Sequence, residues 1–365
     1  MRQRPTPAAA RRPALSSRRT LLLIGLGNVG RSFLRVLASQ HAYLRECYGV
    51  EFRVVGAADS SGAAIDPGGF DPAALLAVKE QGGLADAPEV GRPGMTAVEL
   101  VETVHADAVL EATPVDLRTA QPGLEVTRTA LGLGMPVVLA NKGPLALAYA
   151  ELAALSDLTD PAGPALRFSA CVGGAMPTIN LGVRDLAGAR VLRVEAVLNG
   201  TTQFMLRSME LGQSYQAVLA DAQRRGLTET DPSLDVDGWD AAAKLVILAN
   251  AVLRQPATLN DVEVEGIAGV GGAALGAAAA RGERIVLLCL AQPDPAAVGR
   301  FRLSVSPTAL PLDHPLARMG ADEMGVVYHT DIGGRASATS LERDPVPTAA
   351  AMLRDLLEIT IPALH

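Results

Sequence analysis

The first 150 residues alternate between short apolar runs and longer amphipathic stretches. Four runs have the length typical of buried strands: residues 21–24, 52–58, 108–113 and 136–140. Stretches with apolar residues at helical spacing, such as 31–38 and 123–134, lie between them. Strands that alternate with helices predict a parallel, doubly wound sheet, in which ligands bind beyond the carboxyl ends of the strands.

The pattern changes after Leu155. The next predicted elements are a strand that runs into a glycine-rich turn, a second strand, and three helices, at residues 167–177, 193–198, 203–209, 215–225 and from about Asp237. Beyond Gln255 the pattern weakens into a loop, an alanine-rich helix and strands near Val286 and Phe301. A last helix is predicted at 348–358. This change of pattern indicates a second domain.

Composition narrows the possible functions. A chain of 365 residues suggests two domains, or one domain interrupted by another. The formal net charge of −7 and the 3% of aromatic residues disfavour nucleic acid as the main partner. Three scattered cysteines show neither metal-binding spacing nor a disulfide framework, which fits a reducing cytosol. No apolar run is long enough to span a membrane.

Residues 1–19 carry six arginines and no acidic residue. An arginine-rich, acid-free start is typical of organelle transit peptides, but the apolar core of a secretory signal is missing. We favour a disordered extension that precedes a folded chain beginning at Thr20.

A glycine motif follows the first predicted strand at once. Its spacing is G-x-G-x-x-G between a strand and a helix, the context that indicates dinucleotide binding. Gly25 permits the tight turn, Gly27 lets the backbone approach a pyrophosphate, and Gly30 lets the helix pack on the strand. The pyrophosphate is expected at the amides of the helix N-terminus. The predicted cofactor-binding residues of this loop are Gly25, Leu26, Gly27, Asn28, Val29 and Gly30.

Asp59 ends the second predicted strand. A carboxylate there accepts hydrogen bonds from ribose hydroxyls and repels a 2′-phosphate, so NAD is favoured over NADP. The residues that follow, 60–62, offer no arginine to neutralise a phosphate, and Lys79 lies too far along the chain to be placed. Because the gap from the glycines exceeds the usual ~20 residues, a simple turn acid is the alternative.

Two further polar residues follow predicted strands. Thr113 ends the third strand and Lys142 comes directly after the fourth. The carboxyl ends of parallel strands meet at one edge of the sheet, where the nicotinamide is expected. A lysine at a strand end is often a surface charge, but this position makes a functional role the better interpretation.

One stretch, 225–249, is rich in acids and contains a single lysine, Lys244. Five acids precede it: Glu229, Asp231, Asp235, Asp237 and Asp240. Asp240 and Lys244 are four residues apart and share one face of a predicted helix. A solvated ion pair is the usual explanation, but the turn after Lys244 is apolar all round, which indicates a buried helix. Because a buried lysine has a depressed pKa, this stretch is a candidate acid/base site.

These motifs occur in one order along the chain. They are the glycine loop, Glu111-Ala-Thr-Pro114, Ala140-Asn-Lys-Gly-Pro144, Val172-Gly-Gly174 with Pro177, Asn199-Gly-Thr-Thr202, and the run from Thr228 to Lys244. In this order they resemble the homoserine dehydrogenase family, from about Leu21 to the final helix. The last two motifs are the most specific; the glycine loop alone is not.

The resemblance implies an enzyme that interconverts L-homoserine and L-aspartate 4-semialdehyde with NAD or NADP, a step toward threonine, methionine and isoleucine. The family's catalytic lysines match Lys142 and Lys244. Its substrate-binding residues match Glu229, Asp240 and Lys142. Its nicotinamide-lining positions match Thr113, Lys142 and Gly200. This accords with the chemistry, because oxidising a primary alcohol needs a base at the hydroxyl and a hydride acceptor at the carbinol carbon.

The fold that the resemblance implies is α/β: a Rossmann-type doubly wound parallel sheet plus an α+β catalytic and dimerisation domain. We expect a dinucleotide-binding domain at 20–150 and a catalytic, substrate-binding and dimerisation domain at 151–344. The last helix, within 345–365, is expected to return to the first domain. The form without a C-terminal regulatory domain is the one resembled, and a cytoplasmic homodimer or higher homo-oligomer is expected.

Two positions depart from the family pattern. Members commonly place a glutamate where this chain has Ser169, and that side chain helps to bind a monovalent cation. The carbonyls of Val172, Gly174 and Met176 remain as candidate ligands, but the missing anionic ligand counts against cation binding. Members also carry a glycine-rich loop where this chain has 339–347, whose bulky acids and prolines are expected to alter nucleotide affinity or closure of the site.

Other functions stay open on the sequence alone. One is a dehydrogenase of related scaffold that acts on another small amino acid or semialdehyde. Another is a nucleotide-binding paralogue that has lost catalysis, which the two departures suggest and the intact lysines oppose. An aldehyde dehydrogenase with a cysteine nucleophile is disfavoured, because Cys171 has no histidine in its local sequence.

Overall fold

The computed structural model describes residues 17–228 and 231–361. The first sheet has seven strands: β1 (Ser17–Ile24), β2 (Val50–Asp59), β3 (Gly62–Ile65), β4 (Gly91–Pro93), β5 (Ala108–Glu111), β6 (Val137–Leu139) and β7 (Leu166–Arg167). Their order is β4-β3-β2-β1-β5-β6-β7. The five strands from β2 to β7 in that order pair in parallel, whereas β3 and β4 form an antiparallel edge.

Five helices connect these strands: α1 (Asn28–Tyr43), α2 (Pro72–Gln81), α3 (Ala97–Thr103), α4 (Gly123–Gly132) and α5 (Gly143–Ala154). The central strands are mostly apolar because the sheet is covered on both faces. Leu21, Leu22, Leu23 and Ile24 of β1, for example, are completely buried. The polar residues that follow these strands therefore stand out as candidates for binding.

The second sheet has six strands: β8 (Val191–Val197), β9 (Val262–Val264), β10 (Glu283–Pro293), β11 (Phe301–Pro311), β12 (Glu323–Thr330) and β13 (Arg335–Leu341). Their order is β13-β12-β8-β10-β11-β9, and all pairs are antiparallel except β11 with β9. The remaining helices are α6 (Thr178–Asn180), α7 (Gly200–Glu210), α8 (Tyr215–Arg224), α9 (Ser233–Val236), α10 (Trp239–Ala251), α11 (Gly272–Ala280) and α12 (Val346–Thr360).

The last helix lies against the first sheet. Met352 and Leu356 of α12 are completely buried in one core with Leu21 of β1 and Phe33 of α1. The side chain of Arg167, in β7, bridges to Glu358 of α12 at 2.9 Å. The chain therefore forms the whole second sheet before α12 returns to pack on the first sheet.

The first strand begins earlier than the sequence predicted. Ser17, Arg18 and Arg19, assigned to the extension 1–19, belong to β1, because their backbone pairs with residues 50–52 of β2. The arginine side chains find partners there, since Arg19 bonds Asp107 at 3.1 Å. The rest of that extension, residues 1–16, lies outside the described residues. Within the described ranges no helix is long and apolar enough to cross a bilayer.

Candidate active site

A cleft of about 1080 Å³ lies beyond the carboxyl ends of the parallel strands of the first sheet. Its floor is formed by residues after those strands, including the glycine loop, Asp59, Thr113 and Lys142. The opposite side is formed by residues from later in the chain: Gly173, Gly174, Lys244, Met324 and Thr348. A cleft of this size between two sheets is a typical site for an extended ligand.

The glycine loop has the geometry of a pyrophosphate cradle. Gly25 has φ +93°, and a Cβ there would lie 2.5 Å from the carbonyl of Ala112. A Cβ on Gly30 would lie 2.0 Å from the carbonyl oxygen of Gly25, so the helix packs directly on the turn. Gly27 has nothing within 4 Å of its Cβ position, and it lines the cleft just before α1 begins at Asn28. With no acid in the first turn of α1, its amides fit an anionic pyrophosphate.

Asp59 is not a free carboxylate. Its Oδ2 accepts a hydrogen bond from Lys79 Nζ at 2.5 Å, and its Oδ1 accepts from the amide and hydroxyl of Ser61 at 2.8 and 2.6 Å. Burial raises the pKa of Asp59, but the bonds from Lys79 and Ser61 outweigh it and lower that pKa overall. The sequence left Lys79 unplaced. In the structure α2 carries it back over the end of β2, so the carboxylate on which the NAD preference rests is paired with an ammonium.

At the other end of the cleft, one carboxylate lies between two lysines. Lys244 Nζ is 2.7 Å from Asp240 Oδ2, and Lys142 Nζ is 3.2 Å from Asp240 Oδ1. Lys244 also donates to the carbonyl of Leu198 at 2.5 Å. The structure thus brings together a helix pair expected from its spacing and a strand-end lysine from the first sheet.

The charges of this cluster shift one another's pKa values. Burial raises the pKa of Asp240, but the two ammonium groups outweigh it and hold that pKa well below its usual range. Burial lowers the pKa of Lys142, but the charge of Asp240 outweighs it and raises that pKa overall. The sequence argument from burial was made for Lys244 and left out the shared carboxylate, whose charge decides the direction of the pKa shift at Lys142.

A second layer of polar residues orients Asp240. Asn199 Nδ2 donates to Asp240 at 2.9 Å and to Asp235 at 2.6 Å, and the Thr228 hydroxyl donates to Asp235 at 2.6 Å. Burial, and next the charge of Asp240, raise the pKa of Asp235. In the sequence, Asn199 stands out only as the first residue of a family motif and Asp235 only as one acid among five. The side-chain oxygen of Asn199 does cap α7, by accepting from the amide of Thr202 at 2.8 Å.

The motifs did not identify Lys79, but the small number of lysines in the sequence does. The chain contains 29 arginines but only three lysines, Lys79, Lys142 and Lys244. All three line the same cleft. Arginine is effectively always protonated, whereas lysine is a compact charge that can exchange its proton. A lysine content this low singles out all three residues from the sequence alone.

Thr113 lies above a buried acid at the centre of the cleft. Its amide donates to Glu111 at 2.8 Å, its hydroxyl also donates to Glu111, and Asn141 Nδ2 donates to the Thr113 hydroxyl oxygen at 3.1 Å. Glu111 is completely buried, and its Oε2 has no hydrogen-bond partner among the described residues. Burial, opposed by these hydrogen bonds, raises the pKa of Glu111 to about 7.

Three further residues singled out in the sequence are Glu229, Gly200 and Cys171. Glu229 lies outside the described residues. Gly200 begins α7 and is not among the described residues that line the cleft, so its nicotinamide contact stays a prediction. Cys171 is buried, and burial raises the pKa of its thiol, which donates to the carbonyl of Leu139 at 3.3 Å. A protonated, buried thiol is a poor nucleophile, in line with the sequence argument.

The residues around Ser169 do not fit a bound monovalent cation. The Ser169 amide donates to Asp355 of α12 at 2.7 Å, and the Arg354 guanidinium donates to the carbonyl of Ala175 at 3.0 Å. The Ala175 carbonyl lies between the expected ligands Gly174 and Met176, so the positive charge of Arg354 on it repels a bound cation. Of the three expected carbonyls, that of Met176 already accepts the amide of Thr178 at 2.8 Å.

Comparison with known proteins decides the family. A family model described as homoserine dehydrogenase matches residues 177–357. A homoserine dehydrogenase of Methanocaldococcus jannaschii is 38% identical over 344 residues, which are 93% of this chain and 98% of that protein. The chain belongs to the homoserine dehydrogenase family. The resemblance, the fold class and the oxidoreductase activity predicted from the sequence are thereby confirmed.

Two other homoserine dehydrogenases bear on the cofactor. An NAD(+)-dependent homoserine dehydrogenase of Pseudomonas canavaninivorans is 31% identical over 93% of this chain and 95% of that protein. The structure of a hyperthermophilic archaeal homoserine dehydrogenase in complex with NADPH has a TM-score of 0.79 and 26% identity, over 95% of this chain and 98% of that one. The use of NAD or NADP predicted from the sequence is supported by both.

Proposed function

We propose that this chain interconverts L-homoserine and L-aspartate 4-semialdehyde, with NAD or NADP bound along the cleft. The observation that carries the proposal is Asp240 held between Lys142 and Lys244 at one end of a cleft whose other end is the glycine loop. When bound, the nicotinamide supplies the hydride acceptor or donor for the carbinol carbon. The residues of the chain hold the substrate and move its proton.

Lys142 is proposed to carry the fixed positive charge of the site. Asp240 raises its pKa, so its Nζ remains an ammonium that stabilises a developing alkoxide. Lys244 is proposed to exchange the hydroxyl proton, because its Nζ lies on the same carboxylate and also on the Leu198 carbonyl. In reduction it donates this proton to the carbonyl oxygen, and in oxidation it accepts the proton from the hydroxyl.

Asp240 and Glu229 are proposed to bind the amino group of the substrate. Asp240 stays ionised, since its pKa lies well below its usual range, and Asn199 holds its orientation at 2.9 Å. A charge-assisted hydrogen bond from an ammonium suits such a carboxylate. Glu229 enters the proposal only through the family motif.

The cofactor is proposed to lie with its pyrophosphate on the loop 25–30 and its ribose at Asp59, with Thr113 and Gly200 toward the nicotinamide. NAD stays our preferred cofactor, but Lys79 weakens the preference because it neutralises Asp59. A 2′-phosphate placed here would meet an ammonium as well as a carboxylate.

We also propose a dinucleotide-binding domain at 20–150 and a catalytic, dimerising domain at 151–344, in a cytoplasmic homodimer or higher homo-oligomer. Family resemblance supports the assembly and the location. The edge strand β13, whose side chains alternate between half-buried and exposed, is the kind of surface that a second copy can cover. Light scattering after size-exclusion chromatography tests the assembly, and a monomer at assay concentrations would refute it.

The proposed function is tested by assaying reduction of L-aspartate 4-semialdehyde with NADH and with NADPH. We expect turnover with at least one cofactor, and none by a variant carrying both Lys142→Met and Lys244→Met. Turnover of a different small semialdehyde in preference to this one would show that the substrate is wrong.

A further inference from the structure

Two departures from the family pattern, Ser169 and the stretch 339–347, meet at one place in the fold. Ser169 begins the glycine turn, which we define as residues 169–177. Glu342, in the second departure, lies against this turn, and a Cβ on Gly174 would come within 2.2 Å of its carboxylate. Both Gly173 and Gly174 line the cleft with Lys142 and Lys244.

The backbone of the glycine turn is held by side chains from the C-terminal part of the chain. The Ala175 amide donates to Glu342 at 2.9 Å, and the Ala175 carbonyl accepts from Arg354 at 3.0 Å. We call these two contacts the Ala175 clamp. Ser340 also donates to Glu342 at 2.9 Å, and its hydroxyl lies 3.4 Å from the carbonyl of Gly173.

The guanidinium of Arg354 forms no salt bridge among the described residues, although burial raises the pKa of the neighbouring Asp355 and the charge of Arg354 lowers it. The Nη1 of Arg354 donates to the Ala175 carbonyl, whereas its Nε and Nη2 are buried without hydrogen-bond partners among the described residues. The neighbouring Asp355 is completely buried, and its Oδ2 accepts from the Ser169 amide instead of from a cation. A positive charge on the Ala175 carbonyl, with a buried acid nearby, resembles the environment that a bound monovalent cation creates.

We propose that Arg354 and Glu342 act as positioning residues that hold the glycine turn against the substrate site, so that the enzyme needs no bound monovalent cation. In this proposal two departures from the family pattern belong together. The glutamate that would bind a cation is absent at position 169, and Glu342 with Arg354 holds the glycine turn instead. Asp355 holds the start of the turn through the Ser169 amide, 186 residues away along the chain. The inference rests on the proposed function, because the turn lines the proposed substrate site.

Wild-type enzyme gives the first test. Reduction of the semialdehyde is measured in Na⁺, in K⁺ and in tetramethylammonium chloride at constant ionic strength, and melting temperature is recorded in the same salts. We expect kcat and KM to agree within about twofold once screening is held constant, and the melting temperature to be the same in all three. Saturable activation, or stabilisation, specific to Na⁺ or K⁺ would overturn the proposal.

Variants give the second test. In Arg354→Met we expect kcat/KM for the semialdehyde to fall about ten- to a hundredfold, the effect of losing one charge-assisted hydrogen bond. The Kd of the dinucleotide should not change, and Arg354→Lys should recover most of the loss. The matched control is Arg343→Met, which removes an exposed arginine that pairs only with Asp322 at 3.2 Å in the described structure. Wild-type kinetics in Arg354→Met would overturn the proposal.

The double variant Ser169→Glu, Arg354→Met asks whether a guanidinium and a bound cation are interchangeable. With the carboxylate restored and the guanidinium removed, we expect Na⁺ or K⁺ to raise activity saturably. A folded double variant without any cation response would refute interchangeability. If the wild-type enzyme reduces the semialdehyde and Na⁺ or K⁺ activates it further, only the role of the Ala175 clamp is refuted. If the wild-type enzyme does not reduce the semialdehyde in any salt, the proposed function itself is refuted.

Discussion

The two ends of the cleft both pair a largely buried aspartate with lysine, but the charges balance differently. At the ribose end Asp59 meets one lysine, Lys79, so the local charge cancels. At the proposed catalytic end two lysines share one directly paired carboxylate, Asp240, and Asp235 lies behind it on Asn199. The first arrangement suits binding of a neutral or an anionic ribose, and the second suits a reaction in which negative charge develops on oxygen. In the proposed mechanism the same residue types therefore serve recognition at one end and chemistry at the other.

Removing a lysine from either end separates these two roles most clearly. Lys244→Met and Lys142→Met should each lower kcat about 10²–10⁴-fold, the usual cost of losing a positioned acid/base or charge-stabilising group. The Kd of the dinucleotide should stay close to that of the wild type. Steady-state kinetics and a cofactor titration measure both quantities.

Lys79→Met is the control at the ribose end, since it removes the only other lysine of the chain. It should leave kcat near the wild-type value and change only cofactor affinity. A variant of Lys142 or Lys244 with wild-type kcat would show that its role is assigned wrongly.

Removing the carboxylate from the catalytic end tests the balance of charge there. Asp240→Asn leaves two ammonium groups near each other in a buried site, and breaking such a pair typically costs about 3–5 kcal/mol. Both kcat/KM and the free energy of unfolding should fall, as chemical denaturation and kinetics would show. Asp237→Asn, an exposed acid of the same run, should change neither. If the two substitutions had equal effects, the role proposed for Asp240 in the active site would be wrong.

Glu111 is a buried acid near the cleft that has no lysine partner among the described residues, and its pKa shifts in the opposite direction. Its pKa rises to about 7, whereas those of Asp59 and Asp240 fall. Because the folded-state pKa lies above the ordinary value of 4.5, the folded protein binds an extra proton between these limits. The contribution of Glu111 to the free energy of unfolding is therefore most favourable below about pH 4.5, and it declines as the pH rises to about 7.

Replacing Glu111 by glutamine should remove this pH dependence while an oxygen still accepts from Thr113. Between pH 5 and pH 8 the stability of Glu111→Gln should improve relative to the wild type by about 2.5 kcal/mol, since one pKa unit corresponds to about 1.4 kcal/mol. Denaturant unfolding at both pH values measures the difference. Parallel stability profiles for the two proteins would mean that Glu111 is ionised in the folded state throughout.

The smallest expected effect concerns the choice of cofactor at the ribose end. Asp59→Ser should erode most of any NAD preference, since losing a charge-assisted hydrogen bond costs about 1.5–3 kcal/mol. Lys79→Met should strengthen the NAD preference, because the remaining carboxylate then repels a 2′-phosphate. Values of kcat/KM with both cofactors decide this. A wild type that prefers NADP by about tenfold or more would show that Lys79, not Asp59, governs the ribose pocket.

Features that depend on local sequence were predictable, and contacts across the fold were not. The strand, glycine loop and helix follow from spacing within 30 residues, and the Asp240–Lys244 pair follows from helical periodicity. The start of α10 was misplaced by two residues, because Gly238 adopts φ +89° and ends the short helix α9 first. Such a boundary depends on one backbone conformation and not on the apolar pattern.

The missed features all need tertiary packing. Lys79 reaches Asp59 because α2 folds back after the β2–β3 hairpin, and no periodicity encodes that turn. The contact of Arg354 with Ala175 spans 179 residues and needs α12 to return to the first sheet. Family resemblance supplied the functional meaning of Lys142 and Lys244, whereas the structure supplied the carboxylate that they share.

The central claim is that one carboxylate keeps Lys142 charged at the catalytic end. With only three lysines in the chain, ¹⁵Nζ-lysine labelling gives three side-chain resonances, which Lys→Arg variants assign. In a pH titration we expect the pKa of Lys142 to lie above the ordinary value of 10.5, and to fall in Asp240→Asn, where the largest opposing charge to the effect of burial is gone. A Lys142 that loses its proton below its ordinary pKa in the wild type, or whose pKa is unchanged in Asp240→Asn, would contradict the account.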